Sequence, residues 1–167
     1  WQMKRKRKPS TGEISKYKAR MNVDGSKMIK GLHYEETYAP VVQWATIRFF
    51  MTMATLNNWH TRQLDFILAY TQADIERDLY MKLPPGFTIP GKVLTEQERK
   101  EYVLKLEKNL YGQKQAGRVW YLHLKNNLLK LGFKPSEHDE CVFYHGSTIF
   151  IVYTDDTILL GPNKEEI

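Results

Sequence analysis

The chain has 167 residues, of which 42% are hydrophobic and 26% charged, which is enough apolar material for one folded domain with its own core. A single cysteine excludes a disulfide-rich scaffold and a cysteine-rich zinc module, and the longest apolar run, residues 149–153, is far shorter than the ~20 residues that span a bilayer. The formal net charge of +6 is concentrated in residues 1–20, which hold eight basic residues and one acidic residue. That asymmetry predicts either a polyanionic partner for this end or a solvated segment.

The first elements of the chain are predicted to be a hairpin and an extended segment. Residues 9–12, Pro-Ser-Thr-Gly, are a turn signal between two extended basic arms, which predicts a β-hairpin within residues 1–21. Residues 23–26 indicate a second turn. Residues 36–43 are expected to be extended, because Pro40 disfavours a helix before it.

A helix is predicted to begin at Thr46, whose hydroxyl suits the N-cap position, and to end at Asn57. Trp44 and Trp59 flank this helix and are expected in the core. The predicted apolar face of the helix consists of Ile47, Phe50, Met51 and Ala54.

The middle of the chain predicts short strands and a longer helix. Residues 63–67 indicate a strand with one acid inside it, and residues 79–81 a strand closed by Pro84-Pro85-Gly86. Residues 95–101 are charged and are expected to form an exposed insertion. Residues 119–131 indicate a helix that ends before Gly132, which suits a left-handed C-terminal cap. The apolar face of that helix is predicted to consist of Trp120, Leu124, Leu128 and Leu131.

The chain closes with two apolar strands, residues 148–153 and 158–161, which flank the pair Asp155-Asp156. Together these elements predict an α+β fold. Two adjacent carboxylates between apolar strands repel each other and resist desolvation. A divalent cation such as Mg²⁺ would neutralise them at a hairpin tip, and an ordinary polar turn is the alternative interpretation.

Asp65 is the one charged residue between Gln63 and Thr71. A lone acid in a core strand is costly unless it is paired, bound to a metal or held by hydrogen bonds. Asp155 follows 90 residues later, which is no obstacle if the two strands are neighbours in one sheet. A strand acid that faces a hairpin acid pair is the arrangement used in two-metal phosphoryl transfer.

The sequence resembles the reverse transcriptases of copia-type (Ty1/copia, pseudovirus) LTR retrotransposons in an ordered set of segments. Residues 153–156, Tyr-Thr-Asp-Asp, resemble the Tyr-X-Asp-Asp motif, and Gln63-Leu64-Asp65 with Ala69-Tyr70 resembles motif A. The other similar segments are Tyr17-Lys18-Ala19-Arg20, residues 34–42, residues 79–81 with 84–87, and residues 110–121. The resemblance runs from Trp1 to Gly161 in the family's order.

The resemblance implies an α+β right-hand polymerase fold with fingers and an antiparallel palm sheet backed by helices. Residues 1–167 would form a single fingers–palm fragment without a thumb. Residues 1–58 and 77–112 would be mainly fingers, and residues 59–76 and 113–167 mainly palm.

The resemblance also assigns roles to individual residues. Asp65, Asp155 and Asp156 would be the catalytic, metal-binding acids. Lys18, Arg20, Tyr70 and Gln115 would contact the nucleotide, with Tyr70 under the sugar, where it would favour deoxynucleotides, and Tyr153 would lie near primer and template. From the residues alone, Lys18 and Arg20 can equally be a solvated hairpin arm and Tyr70 a core tyrosine.

The implied function is RNA-directed DNA synthesis: a primer 3′-hydroxyl attacks the α-phosphate of a deoxynucleotide with two Mg²⁺ ions, for which Mn²⁺ can substitute. The implied partners are an RNA or DNA template-primer, deoxynucleoside triphosphates and the thumb, RNase H and integrase of a polyprotein; no membrane partner is expected. The implied location is intracellular, in a cytoplasmic virus-like particle or the nucleus.

Several positions depart from the family pattern, among them Ile67, Gln113, Gly117, Thr154 and Thr157. These departures predict a decaying element copy. Because the resemblance places a thumb and an RNase H portion after Gly161, the fragment alone is expected to polymerise weakly or not at all. The alternative function is a non-catalytic nucleic-acid-binding remnant, and a third possibility is a product without a role. The spacing of His138, Cys141 and His145 hints at zinc but lacks a fourth ligand, and Cys141 is expected to be a small buried residue.

Overall fold

The computed structural model describes residues 1–167 as a mixed α/β chain with three antiparallel sheets. The largest is a five-stranded sheet, and the other two are two-stranded. The strands are β1 (Gln2–Arg7), β2 (Ile14–Arg20), β3 (His60–Asp65), β4 (Asp74–Lys82), β5 (Val103–Lys108), β6 (Lys134–Pro135), β7 (Val142–His145), β8 (Thr148–Tyr153) and β9 (Asp156–Gly161). The five-stranded sheet has the order β3-β9-β8-β7-β6, and β1-β2 and β4-β5 form the other two. The α+β prediction is therefore confirmed.

Four α-helices accompany the sheets: α1 (Trp44–Leu56), α2 (Ala69–Gln72), α3 (Glu98–Glu101) and α4 (Ala116–Lys130). Short 3-10 turns cover Gly25–Lys27 and Lys164–Glu166. No helix is both long and apolar enough to traverse a lipid bilayer.

The core lies where α4 packs against the centre of the five-stranded sheet. Five consecutive residues of β8, from Thr148 to Val152, are buried, so both faces of this strand are covered. Trp120, Leu124 and Leu128 of α4 are buried with them, at the helical spacing that the sequence predicts. Removing these side chains from water is the main favourable term in the stability of such a core, at roughly 25 cal/mol for each Å² of apolar surface.

The prediction for the C-terminal end of α4 is confirmed for Gly132 and wrong for Leu131. Gly132 has a φ of 87°, the left-handed conformation that a helix C-terminus favours and that glycine adopts without a steric penalty. Leu131, predicted on the buried face, is 68% exposed, because α4 ends at Lys130 and the chain turns away there.

The N-terminal hairpin is confirmed, with β1 and β2 joined by the predicted turn. Its register places like charges opposite one another, Lys4 against Lys18 and Lys6 against Lys16. Like charges directly opposite in a ladder are destabilising. The ladder itself therefore leaves this repulsion uncompensated.

The start of α1 differs from the prediction. The helix begins at Trp44, and Thr46 is inside it; Gln43 precedes the helix and makes no side-chain cap. The carboxylate of Asp139 takes this role, because its Oδ2 accepts hydrogen bonds from the Gln43 N–H at 3.2 Å and from the Thr46 hydroxyl at 2.7 Å. Trp44, predicted in the core, is 70% exposed, whereas Trp59 packs against the core.

The strand around Asp65 also differs from the prediction. The strand β3 begins at His60 and ends at Asp65, so Phe66 and Ile67 lie beyond it. Every residue of β3 is exposed, because it is an edge strand paired only with β9. Asp65 is thus an exposed acid at a strand end and not an acid buried in a core strand. The predicted strand at 79–81 is confirmed as part of the longer β4.

Cys141 is buried in the core, which confirms the prediction that it is a small buried residue. Burial, with the nearby Asp139 and Glu140 charges, raises the pKa of its thiol to about 12. The His145 ring packs on Phe133, with ring centroids 5.2 Å apart.

Replacing Asp139 by alanine should remove the shared cap of α1 and the hydrogen bond from the Cys141 N–H, and lower the free energy of unfolding by about 1–2 kcal/mol. Urea denaturation followed by circular dichroism measures this change. Glu137→Ala removes a neighbouring exposed acid outside this cap and serves as the control; equal losses in both variants would contradict the capping role.

Candidate active site

The β-ladder of the five-stranded sheet brings the three predicted acids together at one end. Asp156 is the ladder partner of Asp65 on β3 and of Tyr153 on β8. Asp155 stands in the turn that joins β8 to β9, and its carbonyl accepts a hydrogen bond from the Phe66 N–H at 2.9 Å. Directly opposed residues of antiparallel strands project to the same face. Asp65 and Asp156 therefore share a face, with Asp155 at the adjoining tip.

The turn that carries Asp155 is strained and is held by α4. Thr154 has a φ of 59°, a left-handed conformation that is unfavourable for a β-branched residue. The indole N–H of Trp120 donates to the Thr154 carbonyl at 2.7 Å, and the Trp120 ring packs edge-on against Phe66 at 5.1 Å. The core of the protein thus fixes the position of the acidic turn.

Thr157, one of the departures from the family pattern, has a clear structural part in the same region. Its side chain is buried, and its hydroxyl donates to the Leu64 carbonyl at 3.1 Å. This bond adds to the ladder between β3 and β9 immediately beside Asp65. The buried Thr157 hydroxyl therefore has a hydrogen-bond partner within the sheet.

The carboxylates of the three acids are open to solvent and unneutralised. Asp65 and Asp156 are exposed, Asp155 is half-buried, and none belongs to an ion pair of the chain. Carboxylate oxygens are the ligands that Mg²⁺ prefers, and partly hydrated sites with few protein ligands are usual for it. As the side chains stand, no three acidic, histidine or cysteine groups are close enough to hold an ion by themselves. The donor set fits a hydrated hard cation whose remaining ligands come from outside the chain.

The basic hairpin carries its two least exposed cations on β2, and the charge of Asp65 acts on one of them, Lys18. Lys18 and Arg20 alternate along β2 and are partly buried, whereas the other residues of the strand are exposed. Desolvation and the neighbouring cations Arg20, Lys6 and Lys16 lower the pKa of Lys18, and the negative charge of Asp65 acts in the opposite direction. An excess of positive charge thus lies within electrostatic reach of Asp65.

Two tyrosines lie between the cations and the acids. The Tyr70 and Tyr111 rings are 4.7 Å apart, and the Arg20 guanidinium carbon lies 4.9 Å from the Tyr111 ring centre. Burial, followed by the negative charge of Asp155, raises the pKa of both phenols. Tyr70 also packs against the core, so its position accommodates both interpretations of this residue.

The structure thus brings together Asp65, Asp155, Asp156, Lys18, Arg20 and Tyr70, with Tyr153 exposed opposite Asp156. Gln115 precedes α4, is 4% exposed, and its Oε1 accepts no hydrogen bond; its nucleotide contact stays a prediction. Tyr111 was not among the predicted site residues. The signal available was its place in the segment 110–121 beside Gly112, but only the fold shows that its ring meets Arg20 and Tyr70.

Comparison with known proteins identifies similar sequences along the whole chain. A family model described as "Reverse transcriptase (RNA-dependent DNA polymerase)" matches residues 1–167. The retrovirus-related Pol polyprotein from transposon RE1 of Arabidopsis thaliana is 40% identical over 156 residues, which cover 91% of this chain and 10% of that protein. The Pol polyprotein from transposon TNT 1-94 of Nicotiana tabacum is 32% identical over 157 residues, covering 91% of this chain and 11% of that protein.

A yeast relative extends the comparison to a third host. The transposon Ty1-ER2 Gag-Pol polyprotein of Saccharomyces cerevisiae is 32% identical over 146 residues, which cover 81% of this chain and 8% of that protein. The chain spans about a tenth of the length of the curated relatives it matches. No solved structure matches the chain.

Replacing Trp120 by phenylalanine should remove the hydrogen bond to the Thr154 carbonyl and also part of a buried ring, and lower the free energy of unfolding by about 2–4 kcal/mol. Chemical denaturation measures the change. Trp44→Phe is the matched control, because Trp44 is exposed and its indole N–H makes no hydrogen bond; a similar loss in both variants would contradict the role given to Trp120.

Replacing Asp155 by asparagine should lower the pKa of Tyr70 and of Tyr111, because a negative charge that opposes phenolate formation is removed. Both pKa values should stay above the usual value for tyrosine, since burial, their largest cause, persists. NMR titration of ¹³Cζ-labelled tyrosine measures both, with Tyr70→Phe and Tyr111→Phe for assignment. Asp78→Asn removes an acid paired with Lys105 and should shift neither; unchanged values in Asp155→Asn would refute the electrostatic contact.

Proposed function

This chain belongs to the reverse transcriptase family of copia-type retrotransposon Pol polyproteins, and from that premise we propose that it provides the nucleotidyl-transfer site of an RNA-directed DNA polymerase. The observation that carries the proposal is the ladder pairing of Asp65 with Asp156, with Asp155 in the adjoining turn. It gathers three unneutralised carboxylates beside a basic hairpin.

In this proposal Asp65, Asp155 and Asp156 hold two Mg²⁺ ions, or Mn²⁺ in their place. When bound, such ions lower the pKa of an attacking hydroxyl and neutralise the leaving pyrophosphate. The carboxylates orient the reacting groups because the ladder and the Trp120 contact fix their backbone. Their exposure leaves room for a primer 3′-hydroxyl and a triphosphate.

The cationic and aromatic side chains have matching roles. Lys18 and Arg20 would bind the triphosphate, for which charge-assisted hydrogen bonds from a guanidinium are well suited. The Tyr70 ring would lie under the sugar and exclude a 2′-hydroxyl, Gln115 would contact the nucleotide or template, and Tyr153 would face the primer and template.

The fold is consistent with a fingers–palm division. All strands of the five-stranded sheet lie within residues 59–76 and 113–167, the proposed palm. The β1-β2 hairpin lies within residues 1–58, and β4-β5 lies almost wholly within residues 77–112, the proposed fingers. The full reaction would use an RNA or DNA template-primer and further domains of the polyprotein.

A second candidate function, nucleic-acid binding without catalysis, is favoured by the N-terminal hairpin. Its opposed lysines repel each other, and a polyanion would relieve that repulsion whether or not the acids bind metal. Such binding would be sensitive to salt and indifferent to sequence.

Replacing Asp155 by asparagine should abolish Mn²⁺ binding measured by electron paramagnetic resonance and lower primer extension on an RNA template by about 100–1000-fold. RNA binding should persist, because the basic hairpin is unchanged. Asp78→Asn, which removes an acid of the β4-β5 sheet that is paired with Lys105, should leave all three measurements unchanged. RNA binding by the unaltered chain without Mn²⁺ binding would favour the second function, and unchanged Mn²⁺ binding in Asp155→Asn would refute the metal-binding role.

A further inference from the structure

Tyr111 lies between the basic hairpin and α2, and its ring contacts one residue of each. The Arg20 guanidinium carbon stands 4.9 Å from the centre of its ring, within the range of a cation–π interaction. The ring of Tyr70 lies on it at 4.7 Å with an interplanar angle of 50°. One ring therefore contacts both the cation proposed to bind phosphate and the aromatic ring proposed to face the sugar.

The backbone around Tyr111 is hydrogen-bonded to and closely packed against residues 23–25, the segment that follows the hairpin. The Tyr111 carbonyl accepts a hydrogen bond from the Val23 N–H at 2.8 Å, three residues after Arg20. Gly112 has a φ of 90°, and a Cβ there would lie 2.1 Å from the Val23 carbonyl oxygen. A Cβ on Gly25 would in turn lie 2.1 Å from the Gly112 carbonyl oxygen. Only glycine permits this close crossing of the two backbones.

A second set of hydrogen bonds joins residues 109–112 to residues 73–74, which follow Tyr70 in the chain. The side-chain amide of Asn109 is fully buried and donates to the carbonyls of Ala73 at 3.2 Å and Asp74 at 2.9 Å. Residues 109–112 are thus hydrogen-bonded to the segment after the hairpin and to the segment after Tyr70. The backbone at Tyr111 is held by contacts that do not involve the side chains of Arg20 or Tyr70.

We propose that Tyr111 is a positioning residue that holds the Arg20 guanidinium and the Tyr70 ring at a fixed separation, and so sets both triphosphate affinity and the preference for deoxyribose. This inference rests on the proposed function, because Arg20 and Tyr70 must be the groups that meet the nucleotide. Arg20 has rotamer freedom along its whole stem, and the cation–π contact limits it. Tyr70 can exclude a 2′-hydroxyl only if its ring cannot tilt away, and the Tyr111 ring blocks that movement.

The experiment measures equilibrium binding of dGTP and GTP to the full chain in the presence of Ca²⁺ and of a template-primer whose next template base is cytosine. These nucleotides differ only at the 2′-hydroxyl. Tyr111→Ala should weaken dGTP binding by about two- to five-fold, the size of one cation–π contact, and reduce the ratio of dGTP to GTP affinity. Tyr111→Phe keeps the ring and should retain both affinity and ratio. Tyr102→Ala is the matched control, since Tyr102 lies under Lys92 at the same 4.9 Å but in another part of the chain, and it should change neither.

A double-mutant cycle keeps the inference testable if a variant is unstable. Arg20→Met and Tyr111→Leu, alone and combined, should be non-additive by about two- to five-fold in the unfolding equilibrium constant, whatever nucleotides do. Additive effects, or an unchanged dGTP to GTP ratio in a folded Tyr111→Ala, would overturn the role of Tyr111. An unaltered chain that binds neither nucleotide would instead overturn the proposed function, while a non-additive cycle would still support the Arg20–Tyr111 contact.

Discussion

The arrangement of the site depends on a single constraint: backbone hydrogen bonds hold three carboxylates together against their mutual repulsion. Asp65 and Asp156 are opposed in the ladder, and the Asp155 carbonyl is tied to Phe66. Like charges in such a pair destabilise a sheet, so other contacts must compensate. The Trp120 bond to the turn and the Thr157 bond to Leu64 do so, and both come from the packed core.

The positive charge of the chain complements this acidic edge. Part of the N-terminal excess is carried on β2 by Lys18 and Arg20. The charge of Asp65 acts to raise the pKa of Lys18, and the charge of Arg20 acts to lower the pKa of Tyr111. Neither charge cluster is neutralised by ion pairs within the chain across the site. In the proposed function, the metal ions are positive and lie against the carboxylates, whereas the triphosphate is negative and lies against Lys18 and Arg20. The proposed nucleotidyl transfer therefore accounts for both charge clusters, whereas a general basic tail accounts only for the positive one.

Much of the fold follows from local sequence signals. Proline and glycine in residues 9–12 specify the first hairpin, the apolar run of β8 specifies a fully covered strand, and Gly132 ends α4. The predictions that were wrong concern exposure and capping. The burial of Asp65 was inferred from its apolar neighbours, but β3 is an edge strand, and the number of neighbouring strands is not a local property. The cap of α1 comes from Asp139, far along the chain, which no pattern near Thr46 indicates.

The sequence by itself indicated the family and the order of the main elements and singled out three candidate acids, because motif spacing and hydrophobic periodicity are properties of neighbouring residues. Only the tertiary structure decided that Asp65 pairs with Asp156, that Trp120 holds the strained turn at Thr154, and that Tyr111 joins Arg20 to Tyr70. These contacts join segments distant in the chain. Their geometry arises from strand register and from the glycine crossing of two backbones, which composition and spacing do not encode.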